Sequence, residues 1–286
     1  MPGTTDHTPK ARLLGAELRE CRKQNGLTVR ELASRVGTTH VTISRYETGT
    51  RTPRPEDVAR ILGTLGVTGP RYEEIIEFAR TASDKNTFAR SSPSTHKHLV
   101  DLAEFERSAC SIIDVAPNLV PGLLQTADYA RQIMHGLPVE EREIRVGLRM
   151  ARRDVLFAKS APTLEVLVSE HALRQPLGGN ELMADQLHHV LRMADLDNVT
   201  VSVMPNGLTR YTPALDGAFV FYDFAKAPPI VQLEHFHASG FLFEAKDIAA
   251  YKNAINDLRS IALPSDDSRD LIKSIAEEME GASSCR

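Results

Sequence analysis

The sequence predicts two domains: an all-α five-helix head over residues 10–80, and an α/β body over 98–280 with a mixed sheet and flanking helices. Three observations predict this. Apolar residues between 10 and 80 recur at helical spacing, punctuated by Gly26, Gly37 and Gly66. Between 163 and 244 the period falls to two, in short runs such as Thr-Leu-Glu-Val-Leu-Val-Ser. Charge divides along the same line. From Lys10 to Arg54 ten Lys/Arg face four acidic residues, a net +6 in a chain of net −4, so the remainder carries −10. A length of 286 residues also suits two domains at ~150 residues each.

Residues 1–9 are expected to be a disordered tail; they contain no apolar signal-peptide core. Ala11–Asn25 reads as the first helix, with Leu13, Leu14 and Leu18 on one side and Arg12, Arg19, Arg22 and Lys23 elsewhere. Thr28 caps a second helix, and Glu31 completes a capping box. Leu32, Ala33 and Val36 give that helix its apolar face. Gly37 supplies a tight turn, where a residue without Cβ is cheapest. Thr39 then caps a third helix. Ile43 and Tyr46 fall on its inner side; His40, Val41, Ser44 and Arg45 are left outside. Such a pair buries little by itself, so its shape is best explained by presenting the later helix to a partner. The usual partner is the DNA major groove. Pro55 suits the first turn of a fourth helix, with Glu56 and Asp57 at its positive end and Val58, Ile61, Leu62 and Leu65 as its stripe. Tyr72–Ala79 reads as a fifth helix.

Thr81–Lys97, rich in Ser, Thr, Asn and Lys, is expected to be a linker. The body opens with an amphipathic helix over His98–Ile113, built on Leu99, Leu102, Phe105, Ala109 and Ile112. Thr126 caps a helix over Ala127–Met134, and Glu140–Lys159 reads as a long charged helix. Thr163–Ser169, Leu182–Ala194 and Val199–Met204 form a strand–helix–strand unit, the usual source of a parallel pair. Ala218–Phe224, Ile230–His235 and Phe241–Glu244 are strands whose short links favour antiparallel pairing. Ala245–Ile261 and Ser268–Glu280 close the chain as helices.

Two stretches carry resemblances. Arg-Glu-Leu-Ala-x-x-x-Gly, then Thr-x-x-Thr-Ile-Ser-Arg-Tyr-Glu-x-Gly, then Arg-x-Pro, resembles the Xre/Cro-type helix-turn-helix over the first quarter of the chain. Val120-Pro-Gly-Leu-Leu-Gln-Thr-Ala-Asp-Tyr-Ala, Leu173-Arg-Gln-Pro-Leu-Gly-Gly and Asn198-Val-Thr-Val-Ser-Val-Met-Pro resemble the uncharacterised domain that follows such a head in actinobacterial regulators of the WhiJ type. That second match runs from about 97 to 280. The resemblance implies a transcription factor paired with a small protein encoded nearby, in some cases as an antitoxin-like regulator.

By the first resemblance, Thr39, His40, Val41 and Arg45 lie where the family reads bases. Arg45 can bond guanine O6 and N7 in parallel, His40 can donate or accept, and Val41 can touch a thymine methyl. Thr28, Thr42, Ser44, Thr50, Arg51 and Thr52 suit phosphates, which position a protein without reading sequence. Tyr46 and Glu47 are assigned structural roles; by family analogy Glu47 orients a neighbouring Arg or caps the turn. The expected partners are double-stranded DNA, a second copy of the chain and a small protein or effector. The alternative is an antitoxin-like protein that sequesters its partner and autoregulates.

Other chemistry is thinly supported. Arg142, Arg145, Arg149, Arg152 and Arg153 share a helix face, either a solvated surface or an auxiliary one for DNA, an anionic ligand or a partner. His235 and His237 point the same way along a strand beside Glu234, and Glu170-His171 ends another. Two histidines do not establish a metal site, so no metal is expected. Gly178-Gly-Asn-Glu reads as a plain turn before a helix rather than an anion site. There is no Gly-x-Ser-x-Gly, Gly-x-x-x-x-Gly-Lys-Ser/Thr or His-Glu-x-x-His motif, so neither catalysis nor a cofactor is expected. Cys21, Cys110 and Cys285 read as free thiols of a reducing cytosol, with the protein at the nucleoid when bound to DNA. No run approaches ~18 apolar residues, so no membrane span is expected.

Overall fold

A computed structural model describes residues 9–82, 88–89, 96–235 and 238–284. The chain divides into a head that ends at Phe88 and takes in Ala225–Pro228, and a body made of the remainder. Residues 1–8 of the expected tail lie outside the described residues. Residue 9 belongs instead to the first helix. Most of the expected linker also lies outside them; Thr81 and Ala82 end a helix, 88–89 are extended, and 96–97 open another helix.

The head holds α1 (Pro9–Gln24), α2 (Val29–Val36), α3 (His40–Glu47), α4 (Pro55–Thr64) and α5 (Pro70–Ala82). Leu14, Leu18, Leu32, Ile43, Ile61, Leu62 and Ile75 form one buried cluster, drawing on every helix. Burying each such side chain contributes about 1.5–3 kcal/mol. Pro55 begins α4 with Glu56 and Asp57 in its first turn, as the sequence predicts.

The two-residue strand β1 (Phe88–Ala89) crosses the division between the units, and the body continues with α6 (His96–Ser108). Next comes a strand that corrects the sequence reading. The helix expected to reach Ile113 ends at Ser108, and Ser111–Ala116 is strand β2. The helical spacing of Ala109 and Ile112 was accidental. Ile112, Ile113 and Val115 are β-branched, which favours extended backbone. As the middle strand, β2 also bonds a neighbour on each side.

After β2 come a 3₁₀ turn (Gly122–Leu124), α7 (Ala127–Ile133, capped by Thr126) and α8 (Val139–Arg152). The long charged helix expected to run to Lys159 stops at Arg152 and passes into 3₁₀ turns over Arg153–Phe157. Then follow β3 (Thr163–Ser169), α9 (Glu170–Arg174), α10 (Asn180–Met193) and β4 (Val199–Met204). Last are β5 (Phe219–Asp223), β6 (Ile230–His235), β7 (Ala238–Leu242), α11 (Ala245–Ile261) and α12 (Ser265–Ser284).

The strands run in the order β1-β7-β6-β5-β2-β3-β4. β2, β3 and β4 are parallel; β5 joins β2 antiparallel, and β6 and β7 follow antiparallel. The sheet is therefore mixed, with the parallel and antiparallel halves the sequence predicts meeting at β2. One face is apolar: Val115, Leu167, Phe219, Phe221 and Val231 pack on Ile248, Ile255 and Leu258 of α11. The other face meets α6, where the Phe105 ring lies 5.0 Å from that of Phe241 and 6.1 Å from that of Tyr222.

The arginines of α8 are not a solvated face. Arg152 lies against the buried Glu106 of α6, donating from Nε at 2.9 Å and also from Nη2. Arg149 donates to Gln125 at 2.8 Å, and Arg153 approaches His189 Nε2 at 3.2 Å. Arg145 is buried and pairs with Glu141. Arg142 is partly exposed, its Nε 3.6 Å from the exposed carboxylate of Glu143.

Candidate nucleic-acid interface

The second and third helices are built by their caps. Thr28 Oγ1 accepts from the Glu31 N–H at 3.2 Å, and the Glu31 carboxylate accepts from the Thr28 N–H at 2.7 Å. This box satisfies two N–H groups that a helix start leaves open, and removal of such a cap costs about 1 kcal/mol. The bond from the Thr28 N–H, then that from the Thr28 side chain, holds the Glu31 carboxyl below the usual carboxylate range. Gly37 ends α2 at φ 75°, a left-handed conformation that a side chain would disfavour. Its N–H and that of Thr38 close back on the last turn of α2.

Thr39 restarts the chain as the N-cap of α3, its Oγ1 accepting from the Thr42 N–H at 3.2 Å. The inner side is then fixed: Ile43 is 1% exposed and Tyr46 is buried, with its hydroxyl 3.2 Å from Asp57. Thr39, His40, Ser44 and Arg45 are exposed, and so is Val41 at 44%. Val41 thus adds an apolar surface among these polar side chains. Arg45 makes no ion pair among the described residues. The four side chains nominated for base reading therefore stand together on one outer surface of α3.

The six nominated phosphate contacts are less alike. Thr28 sits exposed at the start of α2, and Ser44 is exposed on α3. Thr42 is half-buried, its hydroxyl 2.9 Å from that of Thr39. Thr50 donates to the Arg45 carbonyl at 3.2 Å and meets Thr48 at 3.0 Å, so its hydroxyl ties down the end of α3. Thr52 is half-buried. Arg51 is exposed and lies 5.8 Å from the centre of the Tyr46 ring, which steadies a long cation beside α3.

Glu47 is 5% exposed and accepts both Nε and Nη2 of Arg22, while Arg19 donates to its carbonyl at 2.7 Å. The bonds to Glu47 outweigh burial and raise the Arg22 guanidinium above its ordinary value. The family analogy offered a neighbouring Arg or a cap of the turn for Glu47; it did not identify Arg22, which the sequence places only away from the Leu13, Leu14 and Leu18 side of α1. Removing this neutral pair from the account leaves the excess of +6 in place on the other residues. Lys10 also contributes little to a surface, since it is buried.

His237 lies outside the described residues. Glu170 accepts from Arg174 at 2.6 Å and from the Asn206 N–H at 2.9 Å, and His171 meets Gln175. Among the described residues no three of His, Cys, Asp and Glu converge to hold a metal ion. Gly178 and Gly179 form a positive-φ turn before α10, with Gly179 N–H bonded to the Pro176 carbonyl. Cys21 and Cys110 are free thiols; Cys285 lies outside the described residues. No helix among the described residues is long and apolar enough to cross a membrane.

Residues 13–75 match the model of a helix-turn-helix domain. Residues 99–274 match that of a domain of unknown function, DUF5753. No curated protein and no solved structure matches the chain.

Proposed function

The chain belongs to the family of the domain of unknown function DUF5753, here behind a helix-turn-helix head, and we propose that it is a sequence-specific transcriptional regulator. The helix-turn-helix match supports a DNA-binding regulator. The observation that carries the finer reading is the outer surface of α3. Thr39, His40, Val41 and Arg45 stand exposed there on a helix locked from behind by Ile43, Tyr46 and Glu47.

In this reading α3 enters the major groove and its first turns meet base edges. Arg45 takes a guanine by two parallel bonds, worth about 1–3 kcal/mol of discrimination. Val41 lies against a thymine methyl, and His40 reads a neighbouring base. Thr28, at the open end of α2, together with Ser44, Arg51, Thr42 and Thr52, faces phosphates; Thr50 acts through the turn it fastens. The protein works as a homodimer, each head filling one half-site, with half-site centres about 10 base pairs or a multiple apart. The body receives a small partner or effector that changes operator affinity.

Selection of bound DNA from a random pool tests this. A motif of two related half-sites supports the reading. Recovery of the pool without enrichment would exclude sequence-specific binding.

A further inference from the structure

Four strands of the body's sheet end or begin together along one edge. In the parallel registers Ala116 of β2 faces Val168 of β3, and Ser169 of β3 faces Met204 of β4. β5 runs the other way, so Phe219, opposite Val115, enters at that same edge. Strands spaced at ~4.8 Å make the edge about 14 Å wide from β4 to β5. Its loops are fastened to one another. Ser169 Oγ donates to the Pro117 carbonyl at 2.5 Å, and the Asn206 N–H donates to Glu170 Oε2 at 2.9 Å.

This edge carries an apolar surface. Leu119 follows β2 and is 40% exposed; Leu208, Tyr211 and Leu215, between β4 and β5, are 41%, 62% and 73% exposed. One exposed leucine needs no explanation, but four large apolar side chains on one edge mark an interaction surface. They are also held outward. Thr212 and Ala214 are buried between them, Ala214 in the core with Phe219. The Leu215 N–H on the Thr212 carbonyl and the Gly217 N–H on that of Ala214 close a 3₁₀ turn over Pro213–Asp216. Side chains presented by a fixed backbone lose less freedom on binding. The position is apt as well: open α/β sheets bind at the carboxyl ends of their parallel strands, beside the strand where the chain switches sides. That strand is β2, with β3 and β4 on one side of it and β5 on the other.

Charge selects the occupant. Glu170 is paired with Arg174, and Arg210 with Asp257. Lys252 lies over the Phe221 ring at 5.7 Å. Asp216, which accepts the Tyr211 hydroxyl at 2.5 Å, and Asp247 form no ion pair among the described residues. Both act on the Tyr251 hydroxyl, which burial, then Asp216, then Asp247, raises above its ordinary value. The Tyr251 ring lies 4.8 Å from that of Phe219. Against these two carboxylates stands Lys246, so the surface is net negative. A second copy would set like charges against each other, and DNA or an anionic membrane would be repelled.

We propose that this edge docks a segment of a different polypeptide, one with apolar anchors flanked by Lys or Arg. The anchors cover Leu119, Leu208, Tyr211 and Leu215; the cations meet Asp216 and Asp247. The proposal deepens the reading of the body as the partner-binding domain, and rests on that reading only for its regulatory meaning. Binding is measured without DNA, so its failure leaves operator recognition untouched. A partner seated elsewhere on the body would remove this surface and leave that reading standing.

A displayed library of random short peptides is selected on the full chain, and the enriched sequences are synthesised. They are expected to combine apolar with basic residues. Leu208→Ser with Leu215→Ser should weaken their binding about tenfold or more, and Asp216→Asn with Asp247→Asn about threefold or more. Both pairs are exposed, so neither should shift Tm. Phe157→Ser, 60% exposed and ahead of the opposite end of β3, should leave binding unchanged. The proposal is overturned if no peptide is enriched, if acidic peptides are enriched as readily as basic ones, or if either double variant binds as the wild type does. Sedimentation of the full chain covers the other occupant. A dimer that Leu215→Asp alone dissociates would put a second copy on this edge and overturn the proposal too.

Discussion

Arg22 on α1 and Glu47 at the end of α3 form a buried two-point ion pair, Nε to Oε1 at 2.6 Å and Nη2 to Oε2 at 2.8 Å. With Arg19 on the Glu47 carbonyl, α1 fixes the end of the helix that presents Arg45. Glu47→Ala strands a buried guanidinium and should destabilise the head by about 3–5 kcal/mol in urea unfolding. Arg22→Met with Glu47→Leu should recover most of that loss. A cost for Glu47→Ala no larger than that of a surface substitution, about 0.5 kcal/mol, would show the pair to be incidental.

Gly15 gives a second handle on the same contact. A Cβ there would stand 2.3 Å from the Tyr46 carbonyl oxygen and 2.9 Å from that of Glu47. Both obstacles are backbone, so no side chain can swing aside. Gly15→Ala should cost about 1–3 kcal/mol or more and displace α3. Its check is thermal melting beside DNA affinity: both should fall. A variant as stable and as tight as the wild type would mean that α1 and α3 are farther apart than described.

How much of this was legible depends on the reach of each signal. Thr28–Glu31, Gly37 and Thr39 act within a few residues, so the sequence displays the whole interaction. The partner of Arg22 lies 25 positions away, and Glu106 stands 46 before Arg152. A positive charge gives no sign of whether a carboxylate meets it across a fold, so Arg22 and the α8 arginines read as surface. Strand β2 was hidden differently. Its apolar residues happened to continue the spacing of α6, and only pairing with β3 and β5 decides between the two structures.

Asp114 should give stability a distinctive pH dependence. Its carboxyl is raised from 3.8 to about 7, so between those values the folded chain holds a proton that the unfolded chain releases. Stability is then fully present below pH ~4 for this group, and is lost as pH rises toward 7. Three pKa units correspond to at most roughly 4 kcal/mol, and coupling to Glu234 spreads the change. Urea unfolding from pH 4 to 8 should show a falling contribution in the wild type that is absent in Asp114→Asn. Parallel curves for the two proteins would remove Asp114 as its source.

Val41 should matter to one base pair and not to the fold. At 44% exposure, Val41→Ala should alter stability by no more than about 0.5 kcal/mol. Selection from a DNA pool should show weaker preference for thymine at a single position of each half-site. An unchanged motif would take Val41 out of the reading surface.

The most direct test is the affinity of wild type and Arg45→Ala for the selected operator and for a scrambled duplex at one salt concentration. The account expects Arg45→Ala to lose about 1–3 kcal/mol, roughly 5- to 150-fold, on the operator and much less on the scramble. An equal loss on both would make Arg45 a phosphate contact. Wild-type protein that binds the two duplexes alike would contradict sequence reading by α3 altogether.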